Sequence, residues 1–101
     1  VGIRTKGKDI MLKITVIDDE KEYIELIRQT VDNWLMEKGC QGEIDCFDHA
    51  EDFKAQIEAG RCYDIYFMDI EMPDINGMEL AAYIRMKYDS PYIVFVTAHM
   101  E

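Results

Sequence analysis

Three short apolar runs recur along the chain with little polar alternation: Ile14-Thr15-Val16-Ile17, Ile65-Tyr66-Phe67-Met68 and Tyr92-Ile93-Val94-Phe95-Val96. Strands that read this way are covered on both faces, which is the condition of a parallel sheet with helices on either side. Helical patterns separate the runs. Ile24, Ile27, Val31 and Leu35 recur at spacings of three and four, so a helix is predicted from Glu20 to Lys38, with Gly39 as its stop. Ala50, Phe53 and Ile57 form the inner stripe of a second helix that ends at Gly60. Asp48, with Glu51 three residues on, reads as its capping box. Leu80, Ala81, Ile84 and Tyr88 mark a third helix, Met78 to Tyr88, broken by Ser90-Pro91. Strands are predicted at Lys13–Ile17, Glu43–Phe47, Asp64–Met68 and Tyr92–Val96. The order is β-α-β-α-β-α-β.

Right-handed crossovers between parallel strands bring the carboxyl ends of all strands to one edge. Ligands bind at that edge in open α/β sheets. Asp18-Asp19 follows the first strand, Asp69 the third and Thr97 the fourth. Three carboxylates gathered at one point require a cation, a shared proton or a chemical purpose. A carboxylate can attack phosphorus to form an acyl phosphate. An acidic cluster repels an incoming phosphoryl group unless a cation such as Mg2+ is present, and Mg2+ favours one or two carboxylates with waters and phosphate oxygens. Asp19 and Asp69 are the expected direct ligands, with Asp18 acting through water. Thr97 offers a hydroxyl to a phosphoryl oxygen. Pro73 and Gly77 shape the loop after Asp69.

Each feature has a plainer reading when taken alone. An Asp-Asp pair after a strand is more often a solvent-facing helix cap. Asp69 could be a turn former, and Thr97 a common strand residue. Their convergence on one sheet edge favours the functional reading. Trp34 and Tyr23 are expected to pack on or beside the first helix. His49 is expected to be exposed at a helix start, and His99 to be a solvated loop residue near the site.

Composition narrows the alternatives. The chain has 101 residues, enough for one small domain, and 49% of them are hydrophobic, which permits a core. The formal charge is −10, from 21 acids against 11 bases, which speaks against this chain gripping nucleic acid by itself. No apolar run reaches the roughly 20 residues of a membrane span, and a cytoplasmic protein without membrane contact is expected. Cys40, Cys46 and Cys62 show neither a Cys-x-x-Cys pair nor zinc spacing, so they are read as reduced thiols, with Cys46 packing in a strand. Residues Val1 to Ile10 lack a strong period and are read as a tag or upstream extension. Residues 11–101 form the domain.

Ile17-Asp18-Asp19-Glu20, Phe67-Met68-Asp69-Ile70-Glu71-Met72-Pro73 with Gly77, and Val94-Phe95-Val96-Thr97-Ala98 resemble the receiver domain of bacterial two-component response regulators. The resemblance runs from Met11 to Glu101. It implies a flavodoxin-like three-layer sandwich with sheet order 2-1-3-4(-5). It implies phosphorylation of Asp69 by a histidine kinase, Mg2+ held by Asp19, Asp69 and the carbonyl of Glu71 with help from Asp18, and Thr97 as the switch hydroxyl. Glu71 and His99 match positions that tune the lifetime of the phosphate. The stretches around Glu71 and His99 look most like regulators with a LytTR DNA-binding output domain, so contact with DNA is expected only through a domain outside this chain. The family pattern continues with a helix, a strand and a helix carrying a lysine and a switch aromatic. The domain is therefore expected to be incomplete at its C-terminus. Strand four would then be an open apolar edge, suited to homodimer formation or strand exchange. Two other functions compete: an interaction module independent of phosphorylation, and a Mg2+-dependent phosphohydrolase with an Asp nucleophile. The second lacks a recognisable general acid and substrate cap.

Overall fold

The computed structural model describes residues 11–96. Its elements are β1 (Met11–Ile17), α1 (Lys21–Lys38), β2 (Gln41–Phe47), α2 (Ala50–Glu58), β3 (Ile65–Asp69), α3 (Gly77–Lys87) and β4 (Tyr92–Val96). All pairings are parallel, and the sheet order is β2-β1-β3-β4. The predicted element order and strand order are both met, and the boundaries shift by at most two residues.

The pleat sends alternate side chains to opposite faces and so creates two apolar layers. On one face Ile14 packs with Val31 and Leu35 of α1, joined by Leu12, Ile27, Ile44, Ile65 and Phe67. On the other, Ile17, Tyr66 and Met68 meet Phe53 and Ile57 of α2 and Leu80, Ala81 and Ile84 of α3. Phe53, Tyr66, Leu80 and Ile84 are fully buried. Each such side chain contributes roughly 1.5–3 kcal/mol on leaving water. Helix α1 stops where Gly39 takes a left-handed φ of 67° and its N–H returns to the carbonyls of the last turn.

Three expectations need correction. β4 is not covered on both faces: Ile93 to Val96 are only half-buried and Tyr92 is exposed. It is instead the open apolar edge that the resemblance led us to expect, an edge strand among the described residues. On the α1 side, an open apolar groove of about 570 Å³ runs beside it, lined by residues including Leu26, Trp34, Phe67 and Val94. Asp48 does not cap α2. The N-cap residue is His49, whose side chain makes no capping bond, while Asp48 instead pairs with His49 Nδ1 at 3.0 Å and with Lys21 Nζ at 3.8 Å. Cys46 lies on β2 as expected, but β2 is an edge strand and the residue is exposed. Two further placements agree: Trp34 lies on α1, and His49 is exposed at the start of α2.

Candidate functional site

β1 and β3 are neighbours, with Ile17 level with Met68. The residues that follow, Asp18 and Asp69, therefore stand at the same height on the carboxyl edge of the sheet, and Asp19 continues the β1 turn. Carboxylate oxygens of all three lie within 4.8 Å of one another. Asp18 and Asp69 are both 1% exposed, and Asp19 is half-buried.

The two turns have the same local chemistry. Asp18 Oδ1 accepts the Glu20 N–H at 2.9 Å, and Asp69 Oδ1 accepts the Glu71 N–H at 3.2 Å. Each carboxylate closes a turn on the backbone two residues ahead. The plainer reading of the Asp-Asp pair as a cap of α1 is not met: the N-cap residue is Glu20, whose side chain makes no capping bond. The Asp18 N–H donates to the Phe47 carbonyl at 3.1 Å, which ties the turn to the end of β2.

Burial pushes the Asp18 carboxyl above the ordinary carboxylate range. The Glu20 N–H opposes that shift, and the charges of Asp69, Asp19 and Glu20 add to it. Asp19 Oδ1 is buried and accepts no hydrogen bond among the described residues. A buried carboxylate oxygen in that state is costly unless something positive meets it. Three clustered carboxylates with one such oxygen form a hard-oxygen donor set that fits Mg2+. A second group, Asp48, His49 and Asp52, is also within 4.8 Å, but it lies nearer the surface and His49 Nδ1 is engaged by Asp48.

The loop from residue 70 to residue 76 is pinned by Gly77. Its N–H donates to the Ile70 carbonyl at 2.7 Å. A Cβ on residue 77 would stand 2.2 Å from the Asp69 carbonyl oxygen and 2.8 Å from Ile70 Cα, both backbone atoms that cannot swing away. Glycine at this position lets α3 begin against the backbone of Asp69. Pro73 is exposed on the same loop, and the Glu71 side chain is exposed while its N–H is held by Asp69. Thr97 and His99 lie outside the described residues.

Two contributors were not anticipated from the sequence. The Phe47 carbonyl steadies Asp18, and Asp74 Oδ2 accepts the Ala50 N–H at 3.3 Å, from one crossover to another. The second contact left no signal in the sequence, because Asp48 already fits a capping pattern before α2 and Asp74 lies 24 residues away.

Residues 14–101 match the response regulator receiver domain family. The chain is 36% identical over 91 residues to the transcriptional regulatory protein SpaR of Bacillus subtilis, covering 90% of this chain and 37% of SpaR. It is 39% identical over 90 residues to the transcriptional regulatory protein LytR of Staphylococcus aureus, covering 87% of this chain and 34% of LytR. The chain thus spans about a third of the length of these relatives. Among solved structures it resembles the response regulator TrrA of Thermotoga maritima in complex with Mg2+-BeF, with a TM-score of 0.71 and 37% identity over 88% of this chain and 71% of that one. It also resembles the complex of TrrA with the histidine kinase ThkA, at a TM-score of 0.62 and 33% identity over 90% of this chain and 72% of that one. With most of its length matched to the family and a sheet edge arranged as above, the chain belongs to the response regulator receiver domains.

Proposed function

We propose that Asp69 is the phosphoacceptor of a two-component signalling switch. The observation that carries this reading is the convergence of Asp18, Asp19 and Asp69, with two of the three buried at the carboxyl edge of the sheet. A carboxylate oxygen of Asp69 forms the new bond to phosphorus as the bond from phosphorus to the imidazole nitrogen of a kinase phosphohistidine breaks. The product is an acyl phosphate on Asp69 and a free histidine on the kinase. Asp18, Asp19, Asp69 and the Glu71 carbonyl are the groups that would hold Mg2+. When bound, Mg2+ neutralises charge on the transferring phosphoryl oxygens. The turn bond from Glu71 to Asp69 Oδ1 holds the acceptor in orientation. In this reading Thr97 is the switch hydroxyl, and Glu71 and His99 tune how long the phosphate lasts.

The chain acts as a signalling phosphoacceptor and not as an enzyme turning over a separate substrate. Its donor is a sensor histidine kinase, its compartment the cytoplasm, and its output a DNA-binding domain that regulates transcription, outside residues 1–101. TrrA, similar in fold and sequence, is known with both Mg2+-BeF and a histidine kinase, which supports this reading. No helix among the described residues is long and apolar enough to cross a membrane. The β4 edge is a surface for pairing with a second copy. Incubation with radiolabelled acetyl phosphate and Mg2+ is expected to label the wild-type protein and to leave Asp69→Asn unlabelled. Equal labelling of the two would remove Asp69 from the role.

A further inference from the structure

Helix α2 begins with an unmet requirement. The first N–H groups of a helix have no partner within it and are normally met by the N-cap side chain. His49, at that position, makes no such bond. The acceptor comes instead from residue 74, on the loop that follows Asp69, where Asp74 Oδ2 receives the Ala50 N–H at 3.3 Å. The same loop is anchored on the core by Met72 and Ile75, and closed at its two ends by the Asp69–Glu71 and Ile70–Gly77 bonds. The first of these bonds is made by the N–H of Glu71, whose carbonyl is assigned to the cation. At the far end of the contact Ala50 is itself buried, so the start of α2 is a firm post.

We infer that Asp74 is a positioning residue for the cation site: by capping α2 from across the fold, it sets where the Glu71 carbonyl and the Asp69 turn stand when Mg2+ binds. The inference rests on the reading of Asp69 and Glu71 given above. It assigns Asp74 no contact with the ion. What matters is the acceptor oxygen on residue 74 and the N–H on residue 50.

The contact can be removed from either end. Asp74→Ala removes the acceptor, and Asp74→Asn keeps an acceptor oxygen while deleting the charge. Ala50→Pro removes the donor. Proline is tolerated at the first helical position, and His49 before it already has the extended backbone (φ −137°, ψ 134°) that a following proline requires. Mg2+ affinity is measured by calorimetry on the full chain, with the fold checked by circular dichroism. Protection of the Ala50 amide is followed by hydrogen exchange without metal. Asp74→Ala and Ala50→Pro are each expected to weaken Mg2+ binding by roughly threefold to tenfold, the size of a lost cap. The double variant is expected to be no weaker than the worse single one, because both remove one contact. Asp74→Asn is expected to retain near wild-type affinity and Ala50 protection.

If Asp74→Asn lost as much affinity as Asp74→Ala, the effect would be one of charge and the inference would fall. It would also fall if Ala50 exchange sped up in Asp74→Ala with Mg2+ affinity unchanged, since the contact would then serve α2 alone. Should Ala50→Pro not fold, the Ala and Asn variants at position 74 still decide between these outcomes. A wild-type protein that bound no Mg2+ would overturn the underlying reading of the acids, a result distinct from unchanged affinity in the variants.

Discussion

Asp18 is a buried carboxyl beside two other acids, an arrangement that stability opposes. Burial raises its carboxyl above the ordinary carboxylate value, and the neighbouring acids push the same way. The folded chain therefore binds a proton at Asp18 more readily than the unfolded chain does. The stability tied to that proton is fully present below the ordinary carboxylate range and is lost as pH rises through the raised folded value. At neutral pH and without metal, Asp18 is a liability. Asp18→Asn keeps an oxygen for the Glu20 N–H and deletes the buried charge. It is expected to stabilise the metal-free protein at pH 7 by on the order of 1 kcal/mol. The gain should fade as pH falls toward the carboxylate range and shrink when Mg2+ is added to both proteins. Thermal melts across pH, with and without Mg2+, check both parts.

At the scale of elements, the interior was far more legible than the ends. β1 and β3 were readable because apolar runs declare burial directly, and α1 and α2 because their inner stripes keep helical spacing. The position of the acids followed, since a parallel sheet leaves no choice about which edge receives them. Caps were less legible. Asp48 fits a capping pattern in sequence, but Lys21 and His49 claim its carboxylate, and the real acceptor for α2 comes from a residue distant in the chain. No local pattern reports a partner supplied by another crossover. The start of α3 is local: Asn76 is its N-cap, and Asn76 Oδ1 accepts the Met78 N–H at 2.7 Å. Asn76→Ala is expected to destabilise the domain by about 1 kcal/mol in urea unfolding. Asp48→Ala should cost distinctly less, because it removes only exposed ion pairs.

At the scale of the molecule, the two edges of the sheet are unlike. β2 presents Glu43 and the half-buried Asp45 among its edge residues, charges that discourage pairing with another chain. β4 presents Ile93, Val94, Phe95 and Val96, beside a groove lined by the exposed Leu26 and Trp34 of α1 and by Phe67. Of the two expectations for strand four, a doubly covered strand and an open apolar edge, only the second holds among the described residues. An apolar run records what a strand is suited to bury, not what covers it. Self-association through this edge is the expected behaviour of residues 1–101 at high concentration. Sedimentation velocity should show the mean mass rising with concentration. Val94→Lys, which places a charge in the groove, should hold the chain monomeric.

The strand register has a consequence for how such a chain can change its length. Ile17 stands level with Met68, and Asp69 with Val96, so each site residue is placed by counting along its own strand. One residue inserted within β3 would move Asp69 by about 3.3 Å and turn its side chain to the other face. The connections at the opposite rim, near Gly39, Gly60 and Ser90, carry no such count. Variation in length should therefore collect at that rim, while the spans that end in Asp18 and Asp69 admit none: the sheet works as a ruler, read only from the acid end.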